Sequence, residues 1–374
     1  MICEEFSSIT SHSPINVSRQ NVVQFENAIY SFLKNCPPET FFLAAVSGGA
    51  DSIAMLTALC AVICKERLCC IHVEHGIRQP EESRGDADFV RSYCKKLGIK
   101  CRIVSIPQGK IAFSARRKGT GIEAAARFFR RKALFGEALK LGENTRILIA
   151  HTKDDLLETA LMRVLRGCGP AGLAAMPAEK RENNKEQRII LRPLLSVSRE
   201  DVIGYLKVKG ISWREDSTNT DEKLLRNRIR RRLVPLLNET FPSWKTGISN
   251  MAETQSFAAD FIAAEAKQRI RWEFVDKPLN FHPTLPVPCF STDEEFFFTQ
   301  PLIIREEALF LAIDRLLKGK KNINSIKRSV VRRFCEGKVN AADLGPVIVK
   351  REKGKIISSR KQKDFFESGT SLLI

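Results

Sequence analysis

A run of apolar residues, Phe41 to Val46, breaks off into Ser47-Gly48-Gly49-Ala50-Asp51-Ser52. A run this short, with no polar alternation, suits a strand covered on both faces, as in a parallel sheet. The next segment, Ser52 to Cys64, places Ile53, Leu56, Cys60 and Ile63 at helical spacing, with Asp51 and Ser52 positioned to cap its start. Strand, glycine turn and helix in that order commit the chain to an α/β design. The alternation then repeats: Leu68 to Val73 as strand, Glu81 to Leu97 as helix, Lys100 to Ile106 as strand, Gly121 to Leu141 as helix, Arg146 to Ala150 as strand and Asp154 to Leu165 as helix. Such alternation predicts a doubly wound α/β domain with a parallel sheet and its ligand at the carboxyl ends of the strands.

Beyond this core, Glu179 to Arg188 reads as a charged loop, Ile189 to Arg192 as a further strand and Arg199 to Lys209 as a helix; the pattern stops around Arg226 to Leu237. Helices are expected over Met251 to Trp272 and Arg305 to Leu317, separated by Pro278, Pro283, Pro286 and Pro288. The expected organisation is a flexible leader over 1–22, a catalytic domain over 23–240, a helical and proline-rich linker over 241–300, and a small basic α+β domain over 301–374.

The loop has a definite chemistry. Glycines between a buried strand and a helix let backbone N–H groups line a concave turn, where a helix start attracts phosphate. Ser47 and Ser52 add hydroxyls, and Asp51 sets a carboxylate beside the phosphates as a contact for magnesium. No Walker G-x-x-x-x-G-K-[ST] is present. Charge supplies a second constraint: 61 Lys and Arg against 43 Asp and Glu give +18, a surface that attracts polyanions, with RNA, DNA and anionic membrane all compatible. No run nears the roughly 20 apolar residues that span a bilayer, so a cytoplasmic protein is expected. Of eleven cysteines many sit in apolar runs, and no C-x-x-C occurs, so reduced core thiols are expected and a structural zinc is not.

Further stretches narrow the reading. The loop Ser47 to Ser52 resembles the SGGxDS turn of the PP-loop ATP pyrophosphatases. His72-Val73-Glu74-His75-Gly76-Ile77-Arg78, Gly121-Ile122-Glu123-Ala124-Ala125-Ala126-Arg127, Ala150-His151-Thr152-Lys153-Asp154-Asp155-Leu156-Leu157-Glu158-Thr159 with Arg166-Gly167-Cys168-Gly169, and Asp216-Ser217-Thr218-Asn219 with Arg226-Asn227-Arg228-Ile229-Arg230 are similar to the tRNA(Ile)-lysidine synthetases of that superfamily. Glu74 and Thr152 depart from the family's pattern.

The resemblance implies ATP with magnesium as cofactor, and isoleucine tRNA with a CAU anticodon and free L-lysine as substrates. Its two steps would be adenylation of the wobble cytidine at the oxygen on carbon 2, then attack by the lysine amine to give lysidine and AMP. It assigns ATP binding to Ser47, Gly48, Gly49, Ala50, Asp51, Ser52, Arg127 and His151, with Asp51 at the magnesium. Asp155 and Glu158, an i,i+3 pair, would hold the lysine, with one carboxylate acting as base and Asp51 completing the catalytic set. Arg78, Arg226, Asn227, Arg230, Lys327 and Arg328 are expected on tRNA or phosphate oxygens. The missing C-x-x-C disfavours sulfur transfer. An amide-forming synthetase and an RNA-binding protein with an inactive ATP loop are the alternatives, and the number of subunits, a homodimer included, stays open.

Overall fold

The computed structural model describes residues 14–77, 80–174, 176–181, 189–215, 225–275, 289–317 and 326–360, in two compact units. The first holds most of the described residues up to Ser249; the second holds Cys168–Ala174 and the described residues from Asn250 on.

In chain order, the first unit comprises α1 (Pro14–Leu33), β1 (Phe41–Ala45), α2 (Ala50–Val62), β2 (Leu68–Glu74), α3 (Pro80–Leu97), β3 (Lys100–Ser105), α4 (Lys110–Lys118), α5 (Ile122–Leu141), β4 (Thr145–Ile149) and α6 (Lys153–Arg166). The chain passes through α7 (Pro170–Leu173) and returns in β5 (Glu179–Arg181), β6 (Ile189–Leu191), α8 (Arg199–Val208), α9 (Leu225–Arg228), a π turn over Ile229–Leu233 and α10 (Val234–Thr240). Strand order is β3-β2-β1-β4-β6-β5, parallel except for β5 against β6. The order reverses between β1 and β4, which opens the crevice of a doubly wound sheet.

Period-two alternation feeds two cores. Phe42, Ala44, Leu68, Cys70, Leu148 and Leu191 pack under α1, α2, α3 and α8, whereas Leu43, Ala45, Cys69, Ile71, Ile147 and Ile190 pack against Leu134 and Ala138 of α5. Hence the central strands β1 and β6 show no alternation in polarity.

Two sequence expectations are corrected here. α1 begins at Pro14, inside the expected leader: Phe25, Ile29 and Leu33, four residues apart, are buried against the core, so the segment carries a helical stripe. Part of the expected loop at Glu179 is strand β5, an edge strand whose exposed charged residues show none of the apolar pattern of a central strand.

The second unit continues α11 (Trp244–Arg269) and adds β7 (Glu273–Val275), β8 (Cys289–Asp293), α12 (Glu294–Thr299), α13 (Leu302–Leu317), α14 (Arg328–Cys335), β9 (Ala341–Asp343), β10 (Val347–Glu352) and β11 (Lys355–Arg360). Its antiparallel sheet runs β7-β8-β11-β10-β9, and Ala266, Ile270, Phe297, Leu309, Val331 and Ile356 share one core. The linker expected over 241–300 is therefore not a separate unit: β7 and β8 belong to the same sheet as β10 and β11. Lys353 and Gly354, both at positive φ, close the β10–β11 hairpin by the two-residue turn that suits strand twist.

Candidate active site

Three helices of the first unit start at the carboxyl ends of neighbouring strands: α2 after β1, α6 after β4 and α8 after β6. Their first turns, with Trp213, Arg214, Arg230 and Trp244, line a cleft of about 610 Å³. α6 and α8 are closed by capping boxes, Thr152 with Asp155 and Ser198 with Asp201. Thr152, a departure from the family's pattern, thus has a local task. α2 has no such closure. Its N-cap is Gly49, without a side-chain cap, so the first-turn amides are left for an anion.

Asp51 and Ser52 therefore lie within the helix and do not cap it. The Ser52 hydroxyl donates to Gly49 O at 2.8 Å and accepts from the Ser47 and Gly48 amides at 3.2 Å each. It shapes the loop from inside. Gly48 sits at φ +96°, which a side chain would strain, and its carbonyl accepts from the Arg214 amide at 3.0 Å.

Asp51 forms an ion pair with Arg199 at the start of α8. Burial pushes its carboxyl up and the nearby Asp155 adds to this, against Arg199 and Arg230. A desolvated carboxylate beside a second acidic group and an open helix start is a donor set suited to magnesium carried on a polyphosphate.

Asp155 and Glu158, expected to receive lysine, are already engaged. Arg226 Nη2 donates to Asp155 Oδ1 and Nε to Glu158 Oε2, each at 2.7 Å; Arg230 Nε donates to Glu158 Oε1 at 2.6 Å and Nη2 to Oε2 at 3.1 Å. Asp155 Oδ2 accepts from the Thr152 amide at 3.0 Å. Both carboxylates therefore hold arginines. Arg226 and Arg230 lie four residues apart on the helical stretch after Leu225, and Pro235, unable to donate to a carbonyl one turn back, accompanies the π turn that carries Arg230. Ile229 and Leu233 of that stretch pack on Leu157 and Leu161 of α6. Asn227 is buried on it.

His151 accepts at Nδ1 from Arg192 Nε at 3.1 Å, which leaves Nε2 as the donor. Burial pushes its pKa down to about 4, Asp155 raises it, and Arg192, Arg130 and Arg226 press it lower, so the ring is neutral at pH 7. His72 is buried and bonds Val46 O through Nδ1 at 2.9 Å, a structural use.

Arg127 does not reach the cleft. It is 70% exposed and paired with Glu123 one turn back. Arg130, three residues further along α5, lines the cleft and also a second cavity of about 410 Å³ bounded by Val46, Ile71, Val73, Glu74 and Asp86. Among the described residues no carboxylate pairs with Arg130, and burial with the neighbouring Arg127 pushes its pKa down, the signature of a desolvated guanidinium awaiting an anion. Arg-x-x-Arg in the helix contained this residue; the phase of α5 on the sheet chose it. Arg130→Ala is expected to lower kcat/KM for ATP by about 10²-fold and Arg127→Ala by less than about twofold. Steady-state pyrophosphate release checks both, and equal losses would overturn the assignment.

In the second unit, Arg328 donates twice to the buried Glu306, at 3.0 and 2.9 Å, and Arg332 donates to it at 2.7 Å. Arg328 is thereby an internal strut and not a free phosphate contact. It also fills the space where a Cβ on Gly169 would stand. Lys327, at the N-cap of α14, is exposed. Arg78, Asp216 to Asn219, the proline-rich stretch and Lys318 to Lys321 lie outside the described residues.

An open glycine turn after the first strand of a sheet with this reversal defines a nucleotide-phosphate-binding α/β domain, and the family model of the PP-loop domain matches residues 21–237. The tRNA(Ile)-lysidine synthase of Thermotoga sp. (strain RQ2) is 32% identical over 323 residues, 86% of this chain and 72% of that relative. That of Treponema denticola is 36% identical over 283 residues, 75% of this chain and 58% of the relative. The chain belongs to the tRNA(Ile)-lysidine synthase family. It spans 58% and 56% of the lengths of the Treponema denticola and Treponema pallidum relatives. Among solved structures the U34-tRNA thiolase NcsA from Methanococcus maripaludis shares the fold, with TM-score 0.51 and 16% identity over 63% of this chain and 80% of that one.

Proposed function

We propose that the chain uses ATP to join free lysine to the wobble cytidine of isoleucine tRNA bearing a CAU anticodon. One observation carries this: the uncapped start of α2, the desolvated Asp51 and Arg130, which no carboxylate pairs among the described residues, meet in one cleft, a set suited to hold and activate a triphosphate. In the first step the oxygen on carbon 2 of the base attacks the α-phosphorus and pyrophosphate leaves. The α2 amides and Arg130 hold phosphate oxygens as charge moves onto the leaving group. Asp51 would hold the magnesium, which supplies charge neutralisation of the phosphates.

In the second step the lysine amine, having lost a proton, attacks carbon 2 and AMP leaves with the oxygen. Asp155 and Glu158 take part through the arginines they hold. Asp154, which lines the cleft with its Oδ1 4.0 Å from Lys245 Nζ and its Oδ2 accepting from the Arg199 amide at 2.7 Å, would offer the lysine ammonium a carboxylate. Trp213 offers an aromatic face for the base. The basic surface, Lys327 included, would grip the tRNA backbone. Among the described residues no helix is long and apolar enough to cross a membrane, and we place the protein in the cytoplasm with its tRNA substrate.

Labelled lysine, ATP and isoleucine tRNA transcript test the proposal. Label should enter the tRNA only with ATP, and Asp154→Asn should raise KM for lysine by about tenfold with kcat little changed. An active, ATP-hydrolysing preparation that leaves the tRNA unlabelled would sink the reading.

A further inference from the structure

Away from the cleft, β2, β3 and α3 bring three cysteines together. Cys70 and Cys101 are register partners on adjacent parallel strands, and Cys94 comes down onto them from the last two turns of α3. Their Sγ atoms all lie within 4.8 Å of one another. Cys70 is 0% and Cys94 1% exposed, while Cys101 is half-buried, so the cluster has a closed side and an accessible one. Single buried cysteines serve as small hydrophobes, and Cys69 packs in that way on the other face of the sheet, donating to the Cys70 carbonyl at 3.5 Å with Arg102 beside it. Three sulfurs converging from three elements do something packing alone does not ask for.

We propose that Cys70, Cys94 and Cys101 form a trithiolate site for a divalent thiophilic cation of the zinc–cadmium class, with the fourth position open on the Cys101 side. Geometry supports it. Sulfurs at the ordinary zinc–thiolate length around a tetrahedral ion stand about 3.8 Å apart, so the observed cluster closes by side-chain adjustments of roughly 1 Å or less. Entry of the ion forms three metal–sulfur bonds and displaces the protons that the thiols hold. Soft thiolate donors select against magnesium and calcium, so the nucleotide's own cation does not compete.

The site has a place in the fold. Two residues beyond Cys70, β2 delivers His72 and then Glu74 to the second cavity, and α3 delivers Ser83 and Asp86 to the same wall. An ion tying β2, β3 and α3 together would stiffen that wall.

The test uses the full untagged chain, reduced and stripped of metal, titrated anaerobically with cadmium chloride. The readouts are the ultraviolet thiolate-to-cadmium charge-transfer band and the number of cysteines left to react with a thiol reagent. One cadmium per chain, with three cysteines protected, is expected. Cys94→Ala and the milder Cys101→Ser should each weaken that component by at least about 100-fold, and Cys60→Ala should keep it. Cadmium should raise the thermal midpoint of the wild type but not of Cys94→Ala. Absence of the band in the wild type, or its persistence in both folded cluster variants, overturns the proposal.

Discussion

Asp51→Ala is expected to cut ATP-dependent pyrophosphate release by about 10³-fold while tRNA binding changes by less than about twofold. The side chain follows the uncapped start of α2, is desolvated, and feels the repulsion of Asp155, so it is the residue whose charge is raised in energy until a cation arrives. Its partner Arg199 bears on the outcome. Without Asp51, Arg199 becomes a free cation at the cleft, so ATP should still bind while the reacting phosphates lose their counter-charge arrangement. Single-turnover AMP formation reads the chemical step and filter binding reads the tRNA. A loss of tRNA binding equal to the loss of chemistry would mean that Asp51 supports the tRNA surface instead.

Glu158→Gln is expected to lower stability by about 2–3 kcal/mol, below the loss for a wholly buried pair, because Arg226 and Arg230 can turn partly to water. For a unit of this size that amounts to roughly 5–10 °C in the thermal midpoint. Glu158 itself is 3% exposed and accepts from both guanidiniums, so a neutral amide leaves two cations without their anchor. Since Arg230 lines the cleft, pyrophosphate release measured without lysine should fall too. Direct lysine recognition by Glu158 makes the opposite prediction: pyrophosphate release without lysine unchanged, the thermal midpoint unchanged, and only KM for lysine raised.

These cases divide what local sequence can encode from what it cannot. The turn Ser47 to Ser52 was legible because strand, glycines and helix are neighbours in the chain, and the same holds for the alternation that predicts the sheet. His151 at the end of β4 and Asp51 at the start of α2 follow from the same local logic. Boundaries of weak elements were not legible: α1 starts on a polar stretch, and β5 is an exposed charged edge. The second unit was misdivided because β8 and β11 pair across about sixty residues of chain, a distance no local pattern reports.

By itself, then, the sequence determined the α/β class, the phosphate-binding turn at Ser47 to Ser52 and the family, since each is written in contiguous residues with short-range geometry. Tertiary structure decided the rest. It selected Arg130 over Arg127 through the face that α5 lays on the sheet. It committed Asp155 and Glu158 to arginines some seventy residues later, and it gathered Cys70, Cys94 and Cys101 without any C-x-x-C spacing. The physical reason is common to all three: spacing along a helix or strand sets which side chains share a face, but only packing sets what that face meets.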